Sequence, residues 1–368
     1  MSHLSNQPNQ PEDGPGFAPA RSCLLRGVSF KIQVISNVVS HFDCRRTPNW
    51  PRGLAVVVLL LIGLAKADAQ PVDGDAVVAR LAKRALLLDV HGWGERALAV
   101  GDRGHILLTT DSGHSWRQVA VPTRRTLTGV FLVDEQVAWA VGHQSVILKS
   151  SDGGETWVKA NAENDPETGY LDVLFLDAKT GFIVGSYGKF LSTRDGGNNW
   201  TEAKQDDDPH FSHIIPAPDG GLWLTGEYGT VWRSADRAKR WESVVTPYEG
   251  TFFGALPLAK GGAVVFGLRG NIFRSEDGKA WKQVKSPTKA LLHGGLALAD
   301  DRLVLTADAG QLLVSADEGR TFRMSTWPGG AAATATSLWQ ANDGGLLLTS
   351  DKGVHRLELA GLKTEAAK

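Results

Sequence analysis

From about residue 86 onward the chain alternates short apolar runs with turns rich in glycine and acidic residues, and helical periodicity is absent. Residues 127–159 show the pattern most plainly. Leu127-Thr-Gly-Val-Phe-Leu132, Val137-Ala-Trp-Ala-Val141, Val146-Ile-Leu-Lys-Ser150 and Thr156-Trp-Val-Lys159 are separated by turns. Apolar runs of this length bounded by turn residues predict four short strands. A short hairpin marks the same point of each recurrence: Val100-Gly-Asp-Arg-Gly104, Val141-Gly-His-Gln-Ser145, Val184-Gly-Ser-Tyr-Gly188, Thr225-Gly-Glu-Tyr-Gly229, Phe266-Gly-Leu-Arg-Gly270, Thr306-Ala-Asp-Ala-Gly310 and Thr349-Ser-Asp-Lys-Gly353. Successive copies lie 40–43 residues apart. Four strands per period of about 41 residues predict an all-β, seven-bladed β-propeller of four-stranded blades.

The strand pattern also predicts the division of the chain. Residues 85–360 form the propeller and 361–368 a tail. The seventh repeat ends after Val354-His-Arg-Leu-Glu-Leu359 without an outer strand. Two readings stay open for 70–84: a strand that closes the last blade, or a short helix suggested by the spacing of Val77, Val78 and Leu81. Upstream, Arg45, Arg46 and Arg52 precede the uncharged run Gly53–Ala65, and Ala67-Asp-Ala69 follows. That order predicts that 1–69 is an N-terminal extension ending in a signal peptide cleaved after Ala69. The apolar run is shorter than the roughly 20 residues of a confident span; a retained anchor is the other reading. Either one predicts an exported, periplasmic protein.

Inside six of the seven blades a second motif recurs. It comprises Thr109-Thr-Asp111-Ser-Gly-His-Ser-Trp116, Ser150-Ser-Asp152-Gly-Gly-Glu-Thr-Trp157, Ser192-Thr-Arg-Asp195-Gly-Gly-Asn-Asn-Trp200, Ser234-Ala-Asp236-Arg-Ala-Lys-Arg-Trp241, Ser275-Glu-Asp277-Gly-Lys-Ala-Trp281 and Ser315-Ala-Asp317-Glu-Gly-Arg-Thr-Phe322. This is the Asp-box, with the fourth copy lacking glycine. The carboxylate is expected to accept N–H bonds within its own turn, and the aromatic ring to be buried against the next blade. Six acids spread around a rim cannot converge on one substrate, so these residues are structural staples.

These residues resemble the Ycf48 family of photosystem II stability and assembly factors, together with its relatives in non-photosynthetic bacteria. The likeness is carried by Ala99-Val-Gly-Asp-Arg-Gly-His-Ile-Leu107, Val121-Pro-Thr-Arg-Arg-Thr-Leu-Thr-Gly-Val-Phe131, Trp139-Ala-Val-Gly-His143, Tyr248-Glu-Gly250 and Gly267-Leu-Arg-Gly-Asn271. It implies a non-enzymatic exported propeller that helps to assemble or stabilise a membrane protein or envelope complex. The basic patch by which family members in oxygenic phototrophs engage a photosystem subunit has no residue-by-residue match here.

Strand order places the glycine hairpins and the inter-blade connections on one face of the ring, face one, and the Asp-boxes on the other, face two. Arg103, Gln144, Tyr187, Tyr228, Arg269 and Lys352 from the hairpins, with Tyr248 and Trp327 from the connections, are therefore the candidate partner-binding residues; aromatics beside arginine suit a protein contact.

Composition narrows the chemistry further. Lys plus Arg number 39 against 40 Asp plus Glu, which excludes the clustered basic excess of a nucleic-acid binder. Cys23 and Cys44 both lie in the extension, so the mature chain has no thiol. Asp206-Asp-Asp208 offers oxygen ligands for calcium, and His210-x-x-His213 lacks a third zinc ligand; neither supports a metal or cofactor. Arg124-Arg125 reads as a surface pair. None of the standard hydrolase, P-loop, zincin or dinucleotide motifs occurs. The enzymatic alternative is a sialidase-like or carbohydrate-binding propeller, which shares the Asp-box but needs converging arginines and a Tyr–Glu pair. A small-molecule ligand is not expected, and the protein is expected to be monomeric.

Overall fold

Seven sheets follow one another in chain order, each built from consecutive antiparallel strands, with one short parallel strand added at the edge of the fourth. The computed structural model describes residues 16–17, 73–160, 165–203, 209–258, 260–327, 330, 332–359 and 362. The first strands of the blades are Leu87–Trp93, Leu127–Leu132, Tyr170–Phe175, Phe211–Pro216, Phe252–Pro257, Leu292–Ala297 and Ala335–Gln340. They surround a channel, and the second and third strands lie progressively outward. Second strands such as Arg96–Gly101, Ala138–Gly142 and Leu222–Gly226 are buried almost throughout, because both of their faces meet neighbouring blades. This burial explains why those runs are continuously apolar rather than alternating.

The first glycine of each hairpin has a steric cause. A Cβ at Gly101, Gly142, Gly185, Gly226 or Gly267 would stand 2.1–2.3 Å from the carbonyl oxygen of the residue preceding the inner strand. At that point the inner strand bulges: the pairing register shifts between Leu87 and Asp89, and at the equivalent place in every other blade. The residue after the glycine position then donates its N–H to that carbonyl, as in Asp102 to Leu86, His143 to Thr126 and Asp351 to Thr334.

Among the described residues, the ring closes without a shared sheet and the seventh blade has three strands, ending at Gly353–Leu357. Residues 73–79 run along the outer edge of blade one instead, with Ala76 N–H donating to Val121 O at 2.8 Å and Ala79 N–H to Gln118 Oε1 at 2.8 Å. Ala82–Arg84 then form one 3-10 turn beside the outermost strand of blade seven. Blades seven and one are joined by Thr336 Oγ1 donating to Leu87 O at 2.8 Å, by Ser337 Oγ donating to Asp89 at 2.8 Å, and by Arg356 Nη1 donating to Ser112 O at 2.7 Å.

Arg124 and Arg125, read from sequence as a surface pair, clamp this N-terminal segment. Arg124 Nε donates to Asp75 O at 2.8 Å, and Arg125, only 11% exposed, lies 3.4 Å from the Asp73 carboxylate. Burial pushes the Asp73 pKa up, but Lys159, the Arg124 N–H, Thr123 and Arg125 outweigh it and hold the pKa below the usual carboxylate value. Gly16–Phe17 forms a short strand parallel to Arg240–Trp241 at the edge of blade four. The apolar run 53–65, the proposed cleavage point and Asp206–Asp208 lie outside the described residues. Among the described residues, no helix is long and apolar enough to cross a membrane.

Candidate functional site

On face two, each Asp-box is a closed hydrogen-bond cycle. Asp111 accepts from Ser115 N–H at 2.8 Å and Ser115 Oγ–H at 2.6 Å, and Thr109 Oγ–H donates to it at 2.7 Å. Asp152 repeats this with Thr156 and Ser150, Asp195 with Asn199 and Thr193, Asp236 with Arg240 and Ser234, and Asp317 with Thr321 and Ser315. The fifth box is one residue shorter, and Asp277 accepts from Lys279 and Ala280 N–H, each at 2.9 Å. Hydrogen bonds to the ionised form hold these acids low. Ser115 is the main cause at Asp111 and Asn199 at Asp195, both brought to about 2. In the fourth box, without glycine, Arg237 and Ala238 take φ values of 60° and 64°.

The aromatic rings correct one expectation. They pack against the preceding blade rather than the next. Trp157 joins Leu98 and Leu108 of blade one, Trp241 meets Phe190 of blade three at 5.6 Å, and Trp200 meets Trp139 of blade two edge-on at 5.7 Å. Trp281 likewise meets Trp223, and Phe322 packs in a cluster with Val264. Trp116 packs with Leu347, so the same contact closes the ring. The box lies on the side of its sheet that faces backwards along the chain.

On face one, the hairpin tips stand out from the surface. Arg103, Gln144, Tyr187, Tyr228 and Arg269 occupy equivalent positions with φ between 54° and 58°. Bulky residues in the left-handed region carry backbone strain, which in other proteins gathers at functional sites. Tyr228 is 76% exposed and the Arg103 side chain 82%. Tyr187 is exposed too, with its ring edge-on to His210 at 4.8 Å. Lys352 is exposed beside Asp351 at 3.3 Å.

Two candidates from the connections stand differently. Tyr248 is half-buried, stacked on Phe273 at 5.5 Å with Leu268 O 3.3 Å from its hydroxyl. Trp327 is only 3% exposed, in a cluster with Leu338, Leu357 and Leu362, and so does not belong to the exposed face. It covers the flank of blade seven, its ring 4.5 Å from that of His355 on the strand Gly353–Leu357.

Between the faces, the inner strands enclose a channel cavity of about 510 Å³. Equivalent strand positions form layers across it. One layer contains Asp89, Asp172, His213 and Ser337, with glycines at 129, 254 and 294; two positions further toward face two are His91, Phe131, Ile215, Leu296 and Trp339. Each acid clasps the following blade: Val130 N–H donates to Asp89 at 2.9 Å, and Ile214 N–H to Asp172 at 2.9 Å. Burial, then repulsion from Asp172, raises Asp89 to about 6. Burial raises Asp172 to about 7 against the Ile214 and Val173 N–H bonds.

Burial also lowers His213, whose Nε2 is 3.6 Å from Asp172, and brings His91 to about 3, stacked on Phe131 at 4.2 Å. His210 and His213, three apart in sequence, part company here: His210 faces Glu227 at 3.9 Å and His213 faces the channel. Among the described residues, no group of three or more His, Cys, Asp or Glu is arranged to hold a metal ion. Among the described residues, the lining includes no Arg, Lys or Tyr. Asp89 and Asp172 carry no repeat-wide signal in the sequence, because the equivalent position is Gly, His or Ser in the other five blades. A signal was present: each acid stands between two apolar residues, in Leu88-Asp89-Val90 and Leu171-Asp172-Val173.

The family described as "Photosynthesis system II assembly factor YCF48" matches residues 108–282. The chain is a Ycf48-like propeller. A solved structure titled "YCF48 bound to D1 peptide" is 17% identical, with a TM-score of 0.64 over 76% of this chain and 94% of that one. Ycf48 from Cyanidioschyzon merolae is also 17% identical, with a TM-score of 0.59 over 77% and 98%. The WD40 β-propeller domain of Doa1 reaches 0.59 at 12% identity, over 77% and 96%, which shows how widely the architecture is shared. No curated protein matches the chain. The Ycf48-like propeller thus combines a repeated rim, a set of raised hairpin tips and a channel that breaks the repeat.

Proposed function

We infer that this protein is an exported, non-enzymatic scaffold that binds a protein segment on face one and assists the assembly or stability of a membrane protein complex. The observation that carries this reading is the set of equivalent hairpin tips at positive φ, where large side chains stand exposed: Arg103, Tyr187, Tyr228 and Arg269. Glycine would relieve the backbone at each of these tips, so bulky residues there favour contact over stability. The Ycf48 structure bound to a D1 peptide supports a peptide as the kind of partner. Export rests on the basic, apolar and Ala-x-Ala order before residue 70. Among the described residues the channel lining offers no arginine for a sialidase-like reaction.

Crosslinked pull-down from intact cells tests the proposal. A membrane protein should be captured by the wild type and lost with Tyr187→Ala/Tyr228→Ala, while thermal stability stays unchanged or rises. Equal capture by the two proteins, or recovery of no membrane protein, would overturn it.

A further inference from the structure

We propose that the channel is a binding site for a small organic cation, an alkylammonium group held between Asp89 and Asp172 against the aromatic wall formed by Phe131, Phe253 and Trp339. Three observations on the cavity lead there. First, its volume of about 510 Å³ is ample for a short amine. Second, the two carboxylates come from blades one and three, face the same space and repel each other. Buried carboxylates are ordinarily compensated by a cation, yet among the described residues no lysine or arginine lies within ion-pair distance of either one. His213, at 3.6 Å from Asp172, is a basic neighbour, and burial disfavours its charged form. Third, the walls are aromatic, and a π-face attracts ammonium ions.

The structural role of the two acids does not account for their charge. Each clasp to the next blade requires a hydrogen-bond acceptor, which a neutral asparagine side chain supplies. Ionised acids at these positions are costly unless something positive arrives between them. The titratable groups facing the cavity are Asp89, His91, Asp172, His213 and His293, the last held by Asp308 at 2.7 Å. Burial disfavours the charged forms of His91 and His213, which leaves the two acids as the dominant charge of their layer. An incoming ammonium stabilises both carboxylates and expels the proton that Asp172 carries part of the time near neutral pH. The polar layer lies on the face-one half of the channel, so an amine can be a free metabolite or a lysine side chain presented by a protein docked on that face.

Titration calorimetry at pH 6.5 with 1,5-diaminopentane, and separately with acetyl-Gly-Lys-Gly-amide, tests the site. Saturable binding is expected, with release of a fraction of a proton read from two buffers of different ionisation enthalpy. Affinity should fall at least roughly tenfold in Asp172→Asn and in Asp89→Asn. Tighter binding of the diamine assigns a free amine, and tighter binding of the peptide assigns a partner lysine. Absence of binding by both probes, equal binding of pentane-1,5-diol, or unchanged affinity in the folded variants would overturn the proposal. The proton release is measured on the wild-type protein, so its absence overturns the proposal even where the variants do not fold.

Discussion

Aspartates of the rim and aspartates of the channel do opposite things with one side chain. At the rim, Asp111, Asp152, Asp195 and Asp277 sit in solvent-facing turns whose N–H and O–H groups point at the charge, and their pKa falls to about 2. In the channel, Asp89 and Asp172 each accept backbone N–H groups as well, yet burial raises them to about 6 and 7. Both sets form hydrogen bonds, so hydrogen bonding does not decide the difference. Desolvation and the lack of a countercharge do. Rim acids stabilise the ring by being ionised; channel acids hold the inner strands together while their ionisation weakens the fold.

That contrast breaks most visibly at the rim. Trp241→Ala removes a ring that is 1% exposed and packed on Phe190, and should cost about 3–5 kcal/mol in urea unfolding. A cost below about 1 kcal/mol would show that the boxes do not fasten one blade to the preceding one.

Next in size is the pH response of Asp172→Asn. Its folded pKa is raised, so the stability tied to the protonated form is complete below the unfolded value near 3.8 and is lost as pH rises through about 7. Relative to the wild type, the variant should therefore gain on the order of 2 kcal/mol between pH 4 and pH 8, after discounting for screening in an open channel. Thermal melts across that range check the sign, and a flat difference would contradict the buried-charge account.

Asp152→Ala should run the other way. It loses hydrogen bonds from Ser150 and Thr156 and should cost about 1–2 kcal/mol at pH 7. The folded pKa of Asp152 is lowered, so the wild-type advantage is present above about 3.8 and disappears as pH falls through about 2. The smallest effect is expected at Tyr228→Gly. Relief of a φ of 56° should stabilise the protein by about 0.5–1 kcal/mol while weakening partner capture. A loss of stability in equilibrium unfolding would mean that Tyr228 supports the fold instead of projecting for contact.

Most of the ring was legible because its physics repeats. Val100-Gly-Asp-Arg-Gly104 and its copies announce a hairpin at a constant interval, and Asp152-Gly-Gly-Glu-Thr-Trp157 announces a closed turn with a buried ring. Where legibility failed, the missing quantity was a distance between blades. Trp327 looks like any aromatic in a polar connection, yet it is buried against blade seven. Arg125 looks like a surface charge, but it lies against Asp73 some fifty residues upstream. For residues 75–84 both open readings yield to a third arrangement, an extended segment along blade one followed by a single 3-10 turn.

Local chemistry determined the blade: four strands, a glycine hairpin and an Asp-box are each complete within about 41 residues, so a single repeat carries the information for its own sheet. The channel is complete only when seven different inner strands meet. Whether Asp89 and Asp172 share a cavity, whether a cation stands near them and how far water is excluded depend on residues from blades that no local pattern connects. Charge in a low-dielectric space is governed by all neighbours at once, and closure of the ring alone brings those neighbours together.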